Sequence, residues 1–267
     1  MVYSREVKRR NLLAGLAASA LTTFEARADS NTPQMFIELK TWKLRNSDED
    51  QGSRVSDFLD SGLFPALTRA GAKPVAALAN LIAPDGPFYV TAVQYPSLSA
   101  MQDVLTKCAA DDTYEQAMRK LGTGTGLPFV RIESSLLHCF HAFPEAKIPE
   151  DAANRPPRIF ELRTYESQTL TTLQRKITMF NGGEIGIFER LNMRPVFFGE
   201  CIVGARQPCL TYMLSFDDLA AREKLWREFG SDLAWKRLSG PPEYKDAQIV
   251  ANISNVILRP LAFSPVR

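Results

Sequence analysis

Glu38-Leu39-Lys40-Thr41-Trp42 returns as Glu161-Leu162-Arg163-Thr164-Tyr165, and Lys73-Pro74-Val75 returns as Arg194-Pro195-Val196. The first match is offset by 123 residues and the second by 121, and the second register then holds: Pro87 meets Pro208, Tyr95 meets Phe216, Leu98 meets Leu219, Asp111 meets Asp232, Tyr114 meets Trp235 and Leu137 meets Leu258. Apolar, turn and cap residues recurring at one long period are the mark of an internal duplication. The 267 residues, 45% of them hydrophobic, are therefore read as two domains of ordinary size rather than one large one.

Working outward from the repeat, each copy follows the same order of elements. A short alternating strand opens it, residues 35 to 44 and 158 to 166. A helix follows, and in the second copy Leu173, Ile177, Phe180, Phe188 and Leu191 fall on a helical face that Gly182-Gly183 should loosen or kink. Two β-rich runs around a turn, 194 to 203 and 208 to 216, read as a hairpin. Ser97 to Ser99 and Asp217-Asp218 offer N-caps for a second helix. A β-branched strand closes each copy, 129 to 137 and 248 to 258. The order βαββαβ gives an α+β fold of two tandem ferredoxin-like units, at residues 34–142 and 158–264, joined by a Pro-rich linker at 143–157. Both helices of such a unit cover one face of its sheet, so the two bare faces are expected either to pack together as a sandwich or barrel or, equally, to pair with a second chain by the same faces or by outer edges.

The N-terminus reads as a targeting segment. Lys8-Arg9-Arg10 precedes a short apolar run, Leu12 to Leu21, and Ala26-Arg27-Ala28 follows as a small-x-small cleavage site. The run is too short for a membrane-spanning helix. Residues 1–28 are thus predicted to be a signal peptide of twin-arginine type, with Lys8 where such signals usually carry Ser or Thr, so that the general secretory route stays open. The expected location is the periplasm. Removing this segment leaves 27 basic against 28 acidic residues. So balanced a charge gives no electrostatic case for nucleic acid or an anionic membrane as partner. Cys201 and Cys209 flank a predicted turn at Gly204-Ala205-Arg206 and could bridge across strands or remain as two half-buried thiols; Cys108 and Cys139 read as core residues.

Ile159 to Tyr165, Leu210 to Phe216, and Trp226, Phe229, Asp232 and Trp235 at regular spacing resemble the NIPSNAP family through residues 158 to 263, with a fainter likeness in the first copy. The resemblance implies the dimeric α/β-barrel superfamily of ferredoxin-like folds. That superfamily includes small-molecule monooxygenases, haem enzymes and proteins with no assigned chemistry. The NIPSNAP branch itself brings no settled catalytic residues, and its animal members are associated with mitochondria, vesicle traffic and protein interactions. Membership bears on fold far more than on function.

Strand alternation supplies the candidate ligand-binding residues. Ile37, Leu39 and Thr41, like Phe160, Leu162 and Thr164, share one face, and Glu38, Lys40 and Trp42, like Glu161, Arg163 and Tyr165, share the other. The apolar set is expected to face the helices and the polar set to line the space between sheets. The alternative is that Glu38 with Lys40 and Glu161 with Arg163 are structural ion pairs. Glu184, between Phe180 and Phe188 on an apolar helical face where the first copy has Leu63, is the candidate acid or base, unless the glycine kink turns it to solvent. His138 and His141 stand three apart at a strand end, on opposite faces, and cannot both hold one metal; with no other histidine, Ser-His-Asp and Cys-His catalysis lack their base. Gly122-Thr123-Gly124-Thr125-Gly126 lacks the lysine of a phosphate loop and reads as a connector. Trp226, Phe229, Trp235 and Tyr244 read as helix core rather than a ligand cage.

No metal and no cofactor is expected from this inventory. The leading expectation is an exported barrel protein that binds a small ligand or a partner protein and forms a homo-oligomer. Two rivals are kept: a cofactor-independent monooxygenase-like enzyme using Glu184 or the Glu161 set, and an oligomeric scaffold.

Overall fold

The computed structural model describes residues 32–149 and 156–267; the expected signal peptide and part of the expected linker lie outside the described residues. The first half runs β1 (Phe36–Lys43), α1 (Gln51–Phe58), a π-helical turn (Leu59–Leu63), α2 (Phe64–Ala70), β2 (Lys73–Ile82), β3 (Phe88–Tyr95), α3 (Leu98–Ala109), α4 (Asp112–Gly122) and β4 (Arg131–Cys139). The second half runs β5 (Ile159–Glu166), α5 (Leu170–Met179), a π-helical turn (Phe180–Glu184), α6 (Ile185–Arg190), β6 (Pro195–Val203), β7 (Cys209–Phe216), α7 (Leu219–Ser231), α8 (Leu233–Leu238), a 3-10 turn (Pro242–Tyr244), α9 (Asp246–Ile249) and β8 (Asn252–Pro260).

The eight strands close into one antiparallel barrel in the order β1-β3-β2-β8-β5-β7-β6-β4. Within each half the first strand lies between the third and the fourth, and the halves meet at two seams, β2 with β8 and β4 with β6. Closure removes every unpaired strand edge, which an open four-stranded sheet would leave bare.

Local features agree between the halves at the 121-residue period. Pro74 and Pro195 each sit at a register shift against the neighbouring strand. The first helical segment of each half passes through a π turn at the same place. Ser97 and Asp218 cap α3 and α7 by accepting from Ala100 and Ala221, and Asp111 and Asp232 cap α4 and α8. Each of those two aspartates also binds an arginine from an earlier helix of its half, Arg69 of α2 at 2.7 Å and Arg190 of α6 at 2.9 Å. The expected kink at Gly182-Gly183 is the second π turn, with Gly183 at φ 156°.

Both faces of the sheet lose water, but to different partners. Ile37, Leu39, Phe160, Leu162, Val196, Phe197, Met213 and Leu258 converge from both halves inside the barrel. The alternate residues meet the helices: Trp42 packs with Val55 and Phe58 of α1, and Tyr165 with Leu173 and Ile177 of α5. This corrects the expected orientation. The Ile37-Leu39 and Phe160-Leu162 faces look inward, whereas Glu38, Lys40, Trp42, Glu161, Arg163 and Tyr165 look outward beneath the helical layer. One end of the barrel is stoppered. Ala146 and Val266 are buried against the inner core, with Ile148 packed alongside. Lys147 N donates to Val196 O at 2.9 Å and Val266 N to Val75 O at 3.3 Å.

Candidate functional site

At the end opposite this stopper the barrel holds a cavity of about 240 Å³. It is built in tiers by inward-pointing residues of successive strands. Leu39, Leu162 and Val256 form an apolar floor with Ser135 opposite Leu39, Thr41, Thr164, Thr211 and Ser254 form a hydroxyl belt with Val90 opposite Thr41, and Phe88 lies opposite Lys43. Lys43, Asp85, Glu133 and Arg206 stand at the charged rim. The two-residue steps Leu39-Thr41-Lys43 and Leu162-Thr164 run from floor to belt or rim because alternate residues of a strand share a face. Several polar groups are already engaged: the Thr164 and Thr211 hydroxyls lie 3.0 Å apart, and Arg206 Nη1 donates to Ser254 Oγ at 2.9 Å. At the rim Lys43 Nζ binds the Asp85 carboxylate at 2.7 Å and lies 4.7 Å above the Phe88 ring. Cys201 and Cys209 complete one wall.

The charged residues singled out by sequence form a separate, buried network under α7. Glu161 is fully buried. It accepts from Arg222 Nε at 2.9 Å, Trp226 Nε1 at 2.8 Å, Asn255 Nδ2 at 2.9 Å and Arg163 Nη1 at 2.8 Å. Burial pushes its carboxyl upward, but the hydrogen bonds from Arg222, the Arg163 charge and the Asn255 and Trp226 donors outweigh that and hold it below the usual carboxylate value. Arg163 stacks 4.6 Å from the Trp226 ring and donates from Nη2 to the Tyr165 hydroxyl at 3.1 Å. That hydroxyl in turn accepts from Tyr212 at 2.9 Å. In the first half the corresponding set is sparser: Lys40 binds Glu38 at 3.0 Å and the Tyr95 hydroxyl donates to Glu38 at 3.3 Å.

Glu184 is buried rather than turned to solvent, and Lys176 Nζ donates to it at 2.9 Å. Burial raises its pKa against the opposing pull of Lys176. The ammonium lies 4.8 Å from the Phe180 ring and 5.4 Å from the Trp235 ring. The pair sits among the helices and does not border the barrel cavity. His138 stacks on Phe36 with ring centroids 4.8 Å apart, also outside the barrel. The structure thus gathers Glu161, Arg163 and Tyr165 into one cluster, keeps Glu38, Lys40 and Trp42 in the other half, and brings neither set to the cavity. The residues that do line it, above all Thr41, Thr164, Thr211, Ser135 and Ser254, were not identified from sequence. The signal that could have found them is a row of small hydroxyl residues at alternate positions of otherwise apolar strands.

The NIPSNAP family model matches residues 160–265. No curated protein sequence matches the chain significantly. Among solved structures, a protein from Lactobacillus acidophilus NCFM, provisionally named a monooxygenase, aligns with a TM-score of 0.54 at 9% identity over 84% of this chain and 93% of its own. A similarly named protein from Fusobacterium nucleatum subsp. nucleatum aligns at 0.53 and 10% identity over 85% and 93%. A NIPSNAP family protein from Agrobacterium tumefaciens aligns at 0.37 and 20% identity over 41% of this chain and 99% of its own. Identities this low bear on the fold and not on the chemistry. Through residues 160–265 this chain is similar to the NIPSNAP family, in the second half of a barrel of eight antiparallel strands.

Proposed function

We propose that this protein is an exported NIPSNAP-like barrel, built from two copies of one unit at residues 34–142 and 158–264, that holds a small uncharged molecule in the open end of its barrel and performs no catalysis on it. The cavity carries the reading: an apolar floor beneath a ring of hydroxyls suits a ligand with an apolar body and a few hydroxyl or carbonyl groups. At about 240 Å³ it is smaller than the roughly 300–1,000 Å³ of sites for drug-sized molecules, so the ligand is a compact one. The position of the candidate acids supports binding over oxygenase chemistry, because Glu161 and Glu184 lie under the helices in ion pairs, out of reach of anything in the cavity. Export follows from the reading of residues 1–28 as a twin-arginine-like signal.

Native mass spectrometry of the protein recovered from a periplasmic fraction tests both parts. The expected spectrum has the mature terminus near Asp29 and a non-covalent small-molecule adduct. Thr41→Phe, which places a ring in the cavity from the β1 wall, is expected to abolish the adduct. Its melting temperature should stay within a few degrees of wild type, since the ring enters empty space. Protein that arrives without an adduct, or an adduct that survives Thr41→Phe, would remove the reading.

A further inference from the structure

Cys201 and Cys209, which flank the β6–β7 turn, both stand in the cavity wall. The β6–β7 ladder pairs Glu200 with Leu210, so the next step along it sets Cys201 opposite Cys209. Directly opposed residues of antiparallel strands have Cα atoms about 4.5–5.5 Å apart, inside the roughly 4.4–6.8 Å that a disulfide spans. Both side chains point into the barrel and both border the cavity. They are only 5% and 2% exposed, which closes them to bulky reagents while the cavity admits small ones.

The two thiols are not equivalent. Cys201 Sγ points to Val203 O at 3.4 Å, at the end of β6, and Cys209 Sγ to Ala205 O at 3.9 Å, in the connecting turn. Gly204, at φ 152°, lies against the Cys201 sulfur, and a Cβ there would stand 3.0 Å from it. A hydrogen bond from the Cys209 thiol, working against burial, holds the Cys201 thiol below the ordinary range. The same contact, together with burial, pushes Cys209 up. The two sulfurs stand on directly opposed residues of the cavity wall, so one can meet an oxidant while the other is in reach to resolve it, and the direction of the two shifts makes Cys201 the first of the pair.

We propose that Cys201 and Cys209 form a peroxide-reactive dithiol in the barrel cavity, with Cys201 as the attacking sulfur and Cys209 as the resolving one. The oxidant is hydrogen peroxide, which is small enough for the cavity. The Cys201 thiolate attacks one peroxide oxygen and the O–O bond breaks. The other oxygen leaves as hydroxide and takes up the proton that Cys201 gave up, forming water. Cys201, oxidised by two electrons, is now a sulfenic acid. The Cys209 sulfur then attacks the Cys201 sulfur; the S–S bond forms, the S–O bond breaks, and the hydroxyl departs with the Cys209 proton as a second water. Two thiols and one peroxide give one disulfide and two waters. The remaining cysteines do not border the cavity: Cys139 is buried toward the stoppered end with its thiol pushed up to about 12 by burial, and the Cys108 thiol, on the buried side of α3, is also raised by burial. The proposal uses the cavity as an entrance and does not depend on its holding a ligand.

The test is intact-mass and peptide mapping of the full chain, reduced, freed of reductant and then exposed to hydrogen peroxide. Wild type is expected to lose two hydrogens, to regain them with dithiothreitol, and to map the bridge to Cys201–Cys209 while Cys108 and Cys139 remain alkylatable. Cys209→Ala should instead hold a sulfenic acid at Cys201 that dimedone traps, and Cys201→Ala should leave Cys209 reduced. The wild-type map stands alone if either variant fails to fold. Four free thiols after peroxide, a bridge to another cysteine, or Cys209 oxidised in Cys201→Ala as fast as the pair in wild type would overturn the proposal. None of these readouts depends on a co-purifying ligand, so failure here and failure of the binding reading are distinguishable.

Discussion

Lys176 and Glu184 occupy the places that Val55 and Leu63 hold in the first half, so the same helical position packs an ion pair in one half and two apolar side chains in the other. The comparison argues that the pair is not needed for the fold. Two desolvated charges roughly offset their own attraction, and apolar residues of similar size can replace them without loss, whereas removing one partner strands the other. Lys176→Met alone is therefore expected to destabilise by about 3 kcal/mol. Lys176→Met with Glu184→Leu should return to within about 1 kcal/mol of wild type or exceed it, as read by urea unfolding. The pH dependence has a definite sign. Because burial raises the folded-state pKa of Glu184, the folded protein binds the proton more tightly than the unfolded chain. Stability should fall as pH rises from the unfolded carboxylate value, about 4.3, through the raised folded value, and the double variant should lose that slope. A double variant as unstable as the single one would mean that the charges do more than fill space.

At the scale of elements, the strands, the capped helices and the hairpins were legible because each has a short-range cause: alternation, a Ser or Asp cap, a turn between β-rich runs. Which face of a strand turns where was not. The choice assumed that the more apolar face of β5 would meet the helices, but in a closed barrel both faces are buried, and polarity no longer separates them. What decides is whether the opposite layer can satisfy the polar residues: α7 brings Arg222 and Trp226 to Glu161, whereas its inward-facing neighbours Phe160 and Leu162 pack in an apolar cluster. That partnership is long-range and leaves no local trace. The π turn was half legible, as glycines in a helical pattern. Its geometry predicts opposite effects of the same substitution at adjacent residues. Gly183, at φ 156°, is in a region where a side chain is strained, so Gly183→Ala is expected to cost about 1–3 kcal/mol. At Gly182 a Cβ meets nothing within 4 Å, and Gly182→Ala should stabilise by up to about 1 kcal/mol through helix propensity and a less mobile unfolded chain. Thermal unfolding of the two variants checks the pair of signs, and equal effects would mean that the turn imposes no backbone constraint.

At the scale of the molecule, the barrel makes each half the missing solvent shield of the other. Residues 156–267 alone would bare the inward row that includes Phe160, Leu162, Val196, Phe197, Met213 and Leu258, and would leave β6 and β8 without β4 and β2. Burial is worth about 25 cal/mol per Å² of apolar surface, so baring a row of large apolar side chains makes the isolated half unstable in water. Unpaired edges add a second penalty and also a remedy, since they are templates for another strand. A second copy can supply both what β2 and β4 gave and the lost inner face, because the two halves follow one strand order: β6 of one copy would pair with β8 of the other, twice, around a two-fold axis. The expected outcome is that residues 156–267, purified alone, sediment as a dimer whose melting temperature rises with protein concentration, as mass action requires of a fold completed by its partner. Mixing with residues 32–149 should convert it to a heterodimer, which also regains the stopper formed by Ala146 and Ile148. Light scattering coupled to gel filtration distinguishes the species, and a cooperatively folded monomer would show that a half can shield its own inner face, contrary to the packing that closes the barrel.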